Sequence, residues 1–159
     1  MQDISNLQKE AALRTPDWKK FYAKNKQRLM RMDKDIERLH NKVSSEIDCL
    51  ECGNCCRSLG PMILEKDIDI LSKSLKMKSS DFIEKYLRKD EDGDFVFQSM
   101  PCPFLGSDNY CSVYESRPKA CREYPHTDRK KFHQVYDLTI KNASTCPIAF
   151  KVLDGLIKL

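Results

Sequence analysis

Apolar side chains recur at alternating spacings of three and four between residues 18 and 43, and most positions between them are charged or polar. This heptad pattern is typical of an amphipathic helix. Thr15-Pro16-Asp17 offers a capping hydroxyl, a proline that needs no amide hydrogen, and an acid at the positive end of the helix dipole. We therefore predict a long helix from residue 15 to residue 45. Its stripe comprises Trp18, Tyr22, Leu29, Met32, Ile36, Leu39 and Val43, with one polar position at Asn25.

Shorter apolar patterns follow. Helical spacing of apolar residues, with serines suited to helix starts, predicts further helices. A Phe-Val-Phe run after an acidic turn predicts a strand. Several prolines between residues 99 and 126 exclude long regular structure, so this segment must be ordered by something other than a backbone ladder. The predicted elements are helices over 64–75, 79–88, 128–142 and 147–158, and a strand at 95–97 that could form a small hairpin.

The composition is that of a polar protein of 159 residues, with 40% hydrophobic and 33% charged residues. This length suits one domain with a core of moderate size. No apolar run is long enough to span a membrane, so we expect no membrane partner. The net charge is +4, but residues 14–42 hold ten Lys or Arg against four Asp or Glu. The basic character therefore belongs to the predicted N-terminal helix.

Four of the eight cysteines fall within eight residues, Cys49-Leu-Glu-Cys52-Gly-Asn-Cys55-Cys56. Two residues between thiols let a tight turn present both sulfur atoms to one metal ion, and Gly53 and Asn54 suit the positive φ that such a turn often needs. Side chains of neighbours such as Cys55 and Cys56 diverge, which disfavours one small ion binding both. We therefore expect one of this pair to serve a second centre or to bridge two.

The other four cysteines supply the partners that two four-sulfur sites need. The alternative is four disulfides, which are typical of short secreted chains with small cores. Residues 1–5 have neither the basic start nor the apolar run of a secretory signal, so we expect a reducing cytoplasm in which clustered thiols are metal ligands. These cysteines are Cys102, Cys111, Cys121 and Cys146.

The cysteine blocks and their neighbours resemble a known family. The C-x2-C-x2-C-C run, the later Cys-Pro-Phe-Leu, and Cys-Ser-Val-Tyr-Glu-Ser-Arg-Pro-Lys-Ala-Cys-Arg-Glu-Tyr-Pro are similar to the zinc- or iron-chelating CxxCxxCC domain family, also called YkgJ-like cysteine-cluster proteins. The resemblance covers residues 47–148. It implies metal binding at Cys49, Cys52, Cys55, Cys56, Cys102, Cys111 and Cys121, with Cys146 matching the later Cys-Pro.

Zinc and iron both suit this set of ligands. Eight thiolates can complete two tetrahedral zinc sites. An iron–sulfur cluster stays open, because Cys49, Cys52 and Cys55 match the first part of the bacterial ferredoxin spacing and a remote Cys-Pro resembles its last ligand. The adjacent Cys56 departs from that spacing, so we favour zinc.

Three other side chains near Cys121 could contribute to a centre. His126 follows it by five residues, within reach of the same loop, although a histidine bonded to backbone fits equally well. Arg117 and Arg122 flank it and could donate to thiolates or backbone carbonyls, or pair with nearby glutamates. We expect His40 and His133 to lie on solvated helix surfaces.

Two classes of function remain. The first is a metal-binding module that supports protein interaction or that carries or senses zinc or iron. The second is a metal-dependent enzyme of protein modification or redox chemistry. The sequence shows no catalytic triad, phosphate-binding glycine loop or carboxylate pair, so we assign no catalytic residue. Nucleic acid is disfavoured because aromatic and basic residues do not alternate on the cysteine loops.

These observations predict a mainly α protein. A basic amphipathic helix at 1–46 precedes a small cysteine-rich helical domain at 47–159, which has long irregular metal-bound loops and at most one short β-hairpin. The N-terminal helix packs on its own domain or, alternatively, pairs with a second copy or a protein partner. The predicted cofactor is zinc or iron in two centres, held by the eight cysteines.

Overall fold

The computed structural model describes residues 4–159, and these residues are mainly helical. Their one sheet is an antiparallel hairpin of β1 (Leu87–Lys89) and β2 (Phe95–Phe97), with Leu87 opposite Phe97. The predicted mainly α fold, with a long N-terminal helix and one short hairpin, is confirmed. The described residues form α1 to α9 at Ile4–Leu29, Asp33–Ser45, Cys49–Cys52, Asn54–Ser58, Glu65–Ser74, Ser79–Tyr86, Lys119–Glu123, Tyr136–Asn142 and Pro147–Ile157.

The chain divides into two compact units. Unit 1 contains the residues up to 49 and those from 125 to the end, and unit 2 contains residues 50–124. Unit 1 therefore joins the N-terminal helices to the last two helices of the chain. The division into domains at 1–46 and 47–159 stays a prediction.

Unit 1 is a helical assembly in which α9 contacts α1, α2 and α8. The strongly apolar helix α9 thus packs against three other helices of its unit, and its residues Val152, Leu153 and Leu156 are fully buried. Trp18 of α1 meets the ring of Phe150 edge to face, with 5.2 Å between the ring centroids. The long helix therefore packs within its own unit, as the first of the two readings of its stripe expected.

The start of α1 differs from the prediction. The helix begins at Ile4 and continues through Pro16, so Thr15 does not cap it. Leu7 and Ala11, on the additional turns, are buried. Proline inside a helix removes one backbone hydrogen bond, but burial of apolar side chains on the preceding turns opposes that loss. The sequence signal was local, and the outcome depends on these long-range contacts.

The predicted helix to residue 45 is in fact two helices. It ends at Leu29 and resumes at Asp33 after a tight turn, in which the Met32 amide donates to the Leu29 carbonyl at 3.2 Å. The Asp33 carboxylate accepts hydrogen bonds from the amides of Lys131 and Phe132 at 2.7 and 3.3 Å. The stripe nevertheless faces the core, since five of its members are buried: Trp18, Leu29, Met32, Ile36 and Val43.

Unit 2 has a separate apolar core. Helix α5 packs on α6, and α6 leads directly into the hairpin. Phe104, from the proline-rich segment, lies 5.7 Å from Phe97 and 4.9 Å from Tyr86 between ring centroids. The buried residues of this core are Ile63, Ile68, Leu71, Phe82, Leu87, Phe97, Phe104 and Val113. The segment that carries the later cysteines is therefore anchored by apolar side chains.

The length and composition of a helix decide whether it could cross a membrane. Within residues 4–159, none of the helices combines the length and the apolarity needed to cross a bilayer. Even α1, with 26 residues, carries charged side chains along most of its length.

Candidate metal centre

The eight cysteines are divided between the units. Cys49 and Cys146 belong to unit 1, and the other six belong to unit 2. No disulfide joins any two of them in the described part of the chain. Cys146 is buried and directly precedes α9, with Pro147 in the first turn as predicted. The cysteines of unit 2 are Cys52, Cys55, Cys56, Cys102, Cys111 and Cys121.

A left-handed turn connects the two short helices that carry the first cysteines. Helix α3 ends at Cys52, α4 begins at Asn54, and Gly53 between them has a φ of 56°. Glycine adopts this conformation at little cost because it has no Cβ. The positive φ predicted for the turn is confirmed at Gly53, whereas Asn54 is the first residue of α4 and does not have one. On α4 the side chains of Cys55 and Cys56 hydrogen-bond each other.

Cys102 is tied to the first cysteine segment through the backbone. Its amide donates to the carbonyl of Cys56 at 2.8 Å. The amides of Phe104 and Leu105 in turn hydrogen-bond the Cys102 sulfur. Amide donors to sulfur favour the thiolate form, which is the form that binds metals.

Cys111 lies on the other side of the same loop. It forms an isolated antiparallel bridge with Leu105, and the amide of Val113 hydrogen-bonds its sulfur. Because Val113 is buried in the core of unit 2, this position is fixed by packing as well as by hydrogen bonds. Cys102 and Cys111 therefore have the same arrangement, in which an amide two residues later donates to the sulfur.

Cys121 is carried by the one-turn helix α7. The start of that helix is held by the buried carboxylate of Asp67, which accepts from the amide of Lys119 at 3.1 Å and from the amide of Leu64 at 2.9 Å. Asp67 therefore links the beginning of α5 to the beginning of α7. The hydrogen bond between Asp67 and Lys119 therefore holds the helix that carries Cys121 in place.

Four of these thiols interact electrostatically. Burial, followed by the charges of the Cys102, Cys56 and Cys111 thiolates, raises the pKa of Cys121 to about 12. Burial also raises the pKa of Cys102 and of Cys111, and in both the Cys56 charge acts in the same direction. The group comprising Cys56, Cys102, Cys111 and Cys121 is called the thiol cluster below. Its members oppose one another's ionisation.

Cys56 is the exception within the thiol cluster. The hydrogen bond from Cys55 lowers its pKa to about 6, assisted by the charges of Arg57 and Arg117 and opposed by burial. Near neutral pH it is therefore the thiolate of the group. Its negative charge raises the pKa of Cys102, Cys111 and Cys121.

The predicted roles of the two arginines are partly confirmed. The guanidinium of Arg117 stacks on the ring of Tyr114 at 3.6 Å, and its Nε donates to the Tyr114 carbonyl at 2.8 Å. Its charge lowers the pKa of Cys56, Cys111 and Cys121. Arg122 donates to the backbone carbonyl of Arg117. Both side chains thus donate to carbonyls, as one of the predicted alternatives required.

The histidines belong to unit 1. His126 is the second residue after the end of unit 2 and has a left-handed φ of 65°, and its role as a ligand stays a prediction. His40 was expected on a solvated surface, but its Nδ1 lies 2.7 Å from the Oγ1 of the buried Thr127. His133 is also half-buried. The helix periodicity alone could not reveal these contacts with residues distant in sequence.

The chemistry of the thiol cluster suits a zinc or iron ion. Its donors are all sulfur, amides and arginines compensate their negative charge, and these are features of thiolate metal sites. Within residues 4–159, however, no three side chains of His, Cys, Asp or Glu are already close enough to form a complete metal site. The residues therefore fit a metal by donor type and electrostatics, and their side chains must move closer to coordinate it.

Three residues that position the cysteines could not be recognised from the sequence. They are Asp67, Arg57 and Asn109, of which the last two bond the turn at Gly53. The Gly-Ser-Asp-Asn run at 106–109 is a recognisable turn signal, but the partner of that turn is not. An aspartate in the first turn of a helix is favoured by the helix dipole alone, so the sequence does not indicate that Asp67 also binds the distant Lys119 amide.

Comparison with known proteins gives one match. The model of the CxxCxxCC family, described as "Putative zinc- or iron-chelating domain", matches residues 48–147. The match includes more than half of the chain and all eight cysteines. Neither the curated proteins nor the solved structures yield a significant match.

Proposed function

The chain belongs to the CxxCxxCC family of zinc- or iron-chelating domains, and we propose that it binds zinc or iron through the thiol cluster of unit 2. In this proposal the protein is a metal-binding module of the reducing cytoplasm. No observation in residues 4–159 favours the enzymatic alternative.

The observation that carries the proposal is the mutual effect of four thiols on ionisation. Cys56 is the thiolate, and its charge raises the pKa of Cys102, Cys111 and Cys121. A group of thiols that resist ionising together gains most from a cation, which replaces the protons and screens the repulsion. The nearby Arg117 reduces the repulsion without supplying a coordinating atom.

Zinc is the metal that we favour. It accepts four thiolates in a tetrahedral site and needs no further ligand when its role is structural. Four iron-coordinating thiolates would satisfy an iron centre equally well by donor type, but the adjacent pair at Cys55 and Cys56 departs from the ferredoxin spacing. An iron–sulfur cluster is therefore the second candidate for the same residues.

We also keep the proposal of two centres. The thiol cluster uses one member of the adjacent pair, Cys56, which leaves Cys55 to a second centre. The spacing of Cys49, Cys52 and Cys55 along the chain suits such a centre. The hydrogen bond between the Cys55 and Cys56 thiols supports placing the two proposed centres next to each other. Cys146 remains the proposed eighth ligand.

The test is elemental analysis with absorption spectroscopy on protein purified without oxygen. We expect zinc, without visible absorption, in the wild-type chain and a lower zinc content in Cys102→Ser and Cys121→Ser. The control is Ser112→Ala, which changes an exposed side chain beside Cys111 and should keep its metal. Visible absorption with iron and sulfide would instead identify an iron–sulfur cluster. Metal-free protein that stays folded and does not take up either metal would contradict the proposal.

A further inference from the structure

A pair of side chains connects the first cysteine turn to the loop that carries Cys111. Arg57 donates through Nη1 to the carbonyl of Cys52 at 2.9 Å and through Nη2 to the side-chain oxygen of Asn109. Asn109 donates through Nδ2 to the carbonyl of Glu51 at 3.3 Å. We call these three hydrogen bonds the Arg57–Asn109 bridge.

The bridge uses carbonyls that have no partner within their own helix. Glu51 and Cys52 end α3, and the last carbonyls of a helix must be satisfied from outside it. Here a guanidinium and an amide do so together, and they also bond each other. The planar fork of arginine suits this role because two of its N–H donors point to fixed, separate acceptors.

Gly53 lies directly against the bridge. A Cβ built on this residue would be 2.7 Å from Nη1 of Arg57 and 3.1 Å from Oδ1 of Asn109. The space above the turn between the cysteines is therefore filled by these two side chains. The absence of a Cβ at Gly53 serves both the left-handed backbone and this close approach.

The other end of the bridge is equally well defined. Asn109 has a left-handed φ of 64°, and its backbone N–H donates to the carbonyl of Gly106 at 3.0 Å. The Gly106 amide donates to the carbonyl of Tyr110 at 2.8 Å. This turn lies between Leu105 and Cys111, which pair with each other. A displacement of Asn109 therefore displaces Cys111.

We propose that Arg57 and Asn109 are positioning residues for the metal centre, because their bridge holds the Cys52–Cys56 turn beside the Cys111 loop without the help of metal. The inference rests on the proposed metal binding. If the bridge already holds these two segments together, the metal does not have to bring them together on binding. Ligands that are positioned beforehand bind more tightly, because less conformational freedom is lost on binding. Contacts that orient the metal-binding residues without coordinating the metal typically change metal affinity by about 10- to 100-fold. Because Arg57 is exposed, we expect the lower end.

The experiment measures Zn²⁺ affinity by competition with a chromophoric chelator. Wild type is compared with Arg57→Ala, Asn109→Gly and the double variant. Glycine at 109 removes the side chain and keeps the left-handed backbone free of strain. Each single variant should weaken Zn²⁺ binding by about 10-fold at unchanged stoichiometry. The double variant should be little weaker than either single one, because each change breaks the same bridge.

Two controls separate position from charge. Arg88→Ala removes an equal charge at an exposed position of strand β1 and should leave the affinity unchanged. Arg57→Lys keeps the charge near Cys56 but loses the fork, and should weaken Zn²⁺ binding nearly as much as Arg57→Ala. If Arg57 acted only through its charge, the lysine variant and Asn109→Gly would both bind as wild type does.

A purely structural role predicts another result. In that case the variants would melt at a lower temperature with and without Zn²⁺, and the folded fraction would bind Zn²⁺ as tightly as wild type. Equal affinities in wild type, Arg57→Ala and Asn109→Gly would overturn the inference while leaving the proposed function intact. Wild-type protein that binds no metal would instead contradict the proposed function itself.

Discussion

Zinc binding to the thiol cluster should release about three protons near pH 7. The metal binds thiolates, so each ligand that is protonated beforehand must lose its proton. Burial and neighbouring charges raise the pKa of Cys102, Cys111 and Cys121, and the last reaches about 12. Each therefore contributes about one proton. Cys56, with a pKa of about 6, is about nine-tenths ionised at pH 7 and contributes almost none.

The same count sets the pH dependence of affinity. Because protons are products of binding, the affinity for Zn²⁺ rises with pH and falls as the solution becomes more acidic. Three released protons correspond to a factor of about 1,000 for each pH unit near pH 7, or about 4 kcal/mol. Below the pKa of Cys56 the slope should increase further, since this thiol is then protonated as well.

Two measurements test this reasoning. An indicator dye in weakly buffered solution counts the protons released per Zn²⁺, and chelator competition between pH 6.5 and 8 gives the slope. Cys121→Ser should release about one proton fewer, because a serine hydroxyl stays protonated. Ser112→Ala should behave as wild type. A release near zero, or an equal release from wild type and Cys121→Ser with zinc bound to both, would refute the assignment of the thiol cluster as the ligand set.

Three further predictions concern stoichiometry, local order and stability. Cys56→Ser should lower the metal content by about one equivalent without abolishing it, and unchanged content in this variant and in Cys55→Ser would contradict two centres. Chelation should speed tryptic cleavage in the 117–124 segment relative to the hairpin, whereas equal rates would show that metal does not order this segment. Tyr136→Phe should cost about 1 kcal/mol in urea unfolding at pH 7, because the Trp18 carbonyl loses its 3.1 Å hydrogen bond. Burial raises the pKa of Tyr136, so wild type should also lose stability as the pH rises above about 10, where the unfolded tyrosine ionises. The phenylalanine variant should lack this loss. Urea unfolding of both proteins at pH 7 and at pH 10.5 measures it, and an equal loss of unfolding free energy in both proteins would contradict the prediction.

Elements with strong periodicity could be predicted from the sequence. The helix expected over 64–75 is α5, and the strand expected at 95–97 is β2. Their signals are local, because one helical face or one alternating run must be buried whatever its partner. The same periodicity predicts that Trp18 and Ile36 face a core, and both are buried, although it does not indicate which helix they face.

Features set by distant contacts could not be predicted in this way. The continuation of α1 through Pro16 depends on burial of preceding turns, and the break before Asp33 coincides with its bonds to the amides of Lys131 and Phe132. The cysteine motif identified the ligand candidates by type and spacing. It contained no information on which thiols interact, because that depends on how the proline-rich segment returns to α4.

Because its prolines exclude a backbone ladder, the proline-rich segment needs other sources of order, and its contacts show that metal is not the only one of them. Phe104 and Val113 are buried in the core of unit 2. Two links that involve no cysteine side chain connect the ligand-bearing segments: the hydrogen bond from the Cys102 amide to the Cys56 carbonyl, and the Arg57–Asn109 bridge. A third hydrogen bond, from the Lys119 amide to the Asp67 carboxylate, holds α7 to α5. Packing and these links can therefore align Cys56, Cys102 and Cys111 before metal arrives. Cys121 is attached through α7, a single helical turn, and its thiol resists ionisation most strongly. We therefore expect metal binding to order unit 2 mainly around α7, where the other sources of order are fewest.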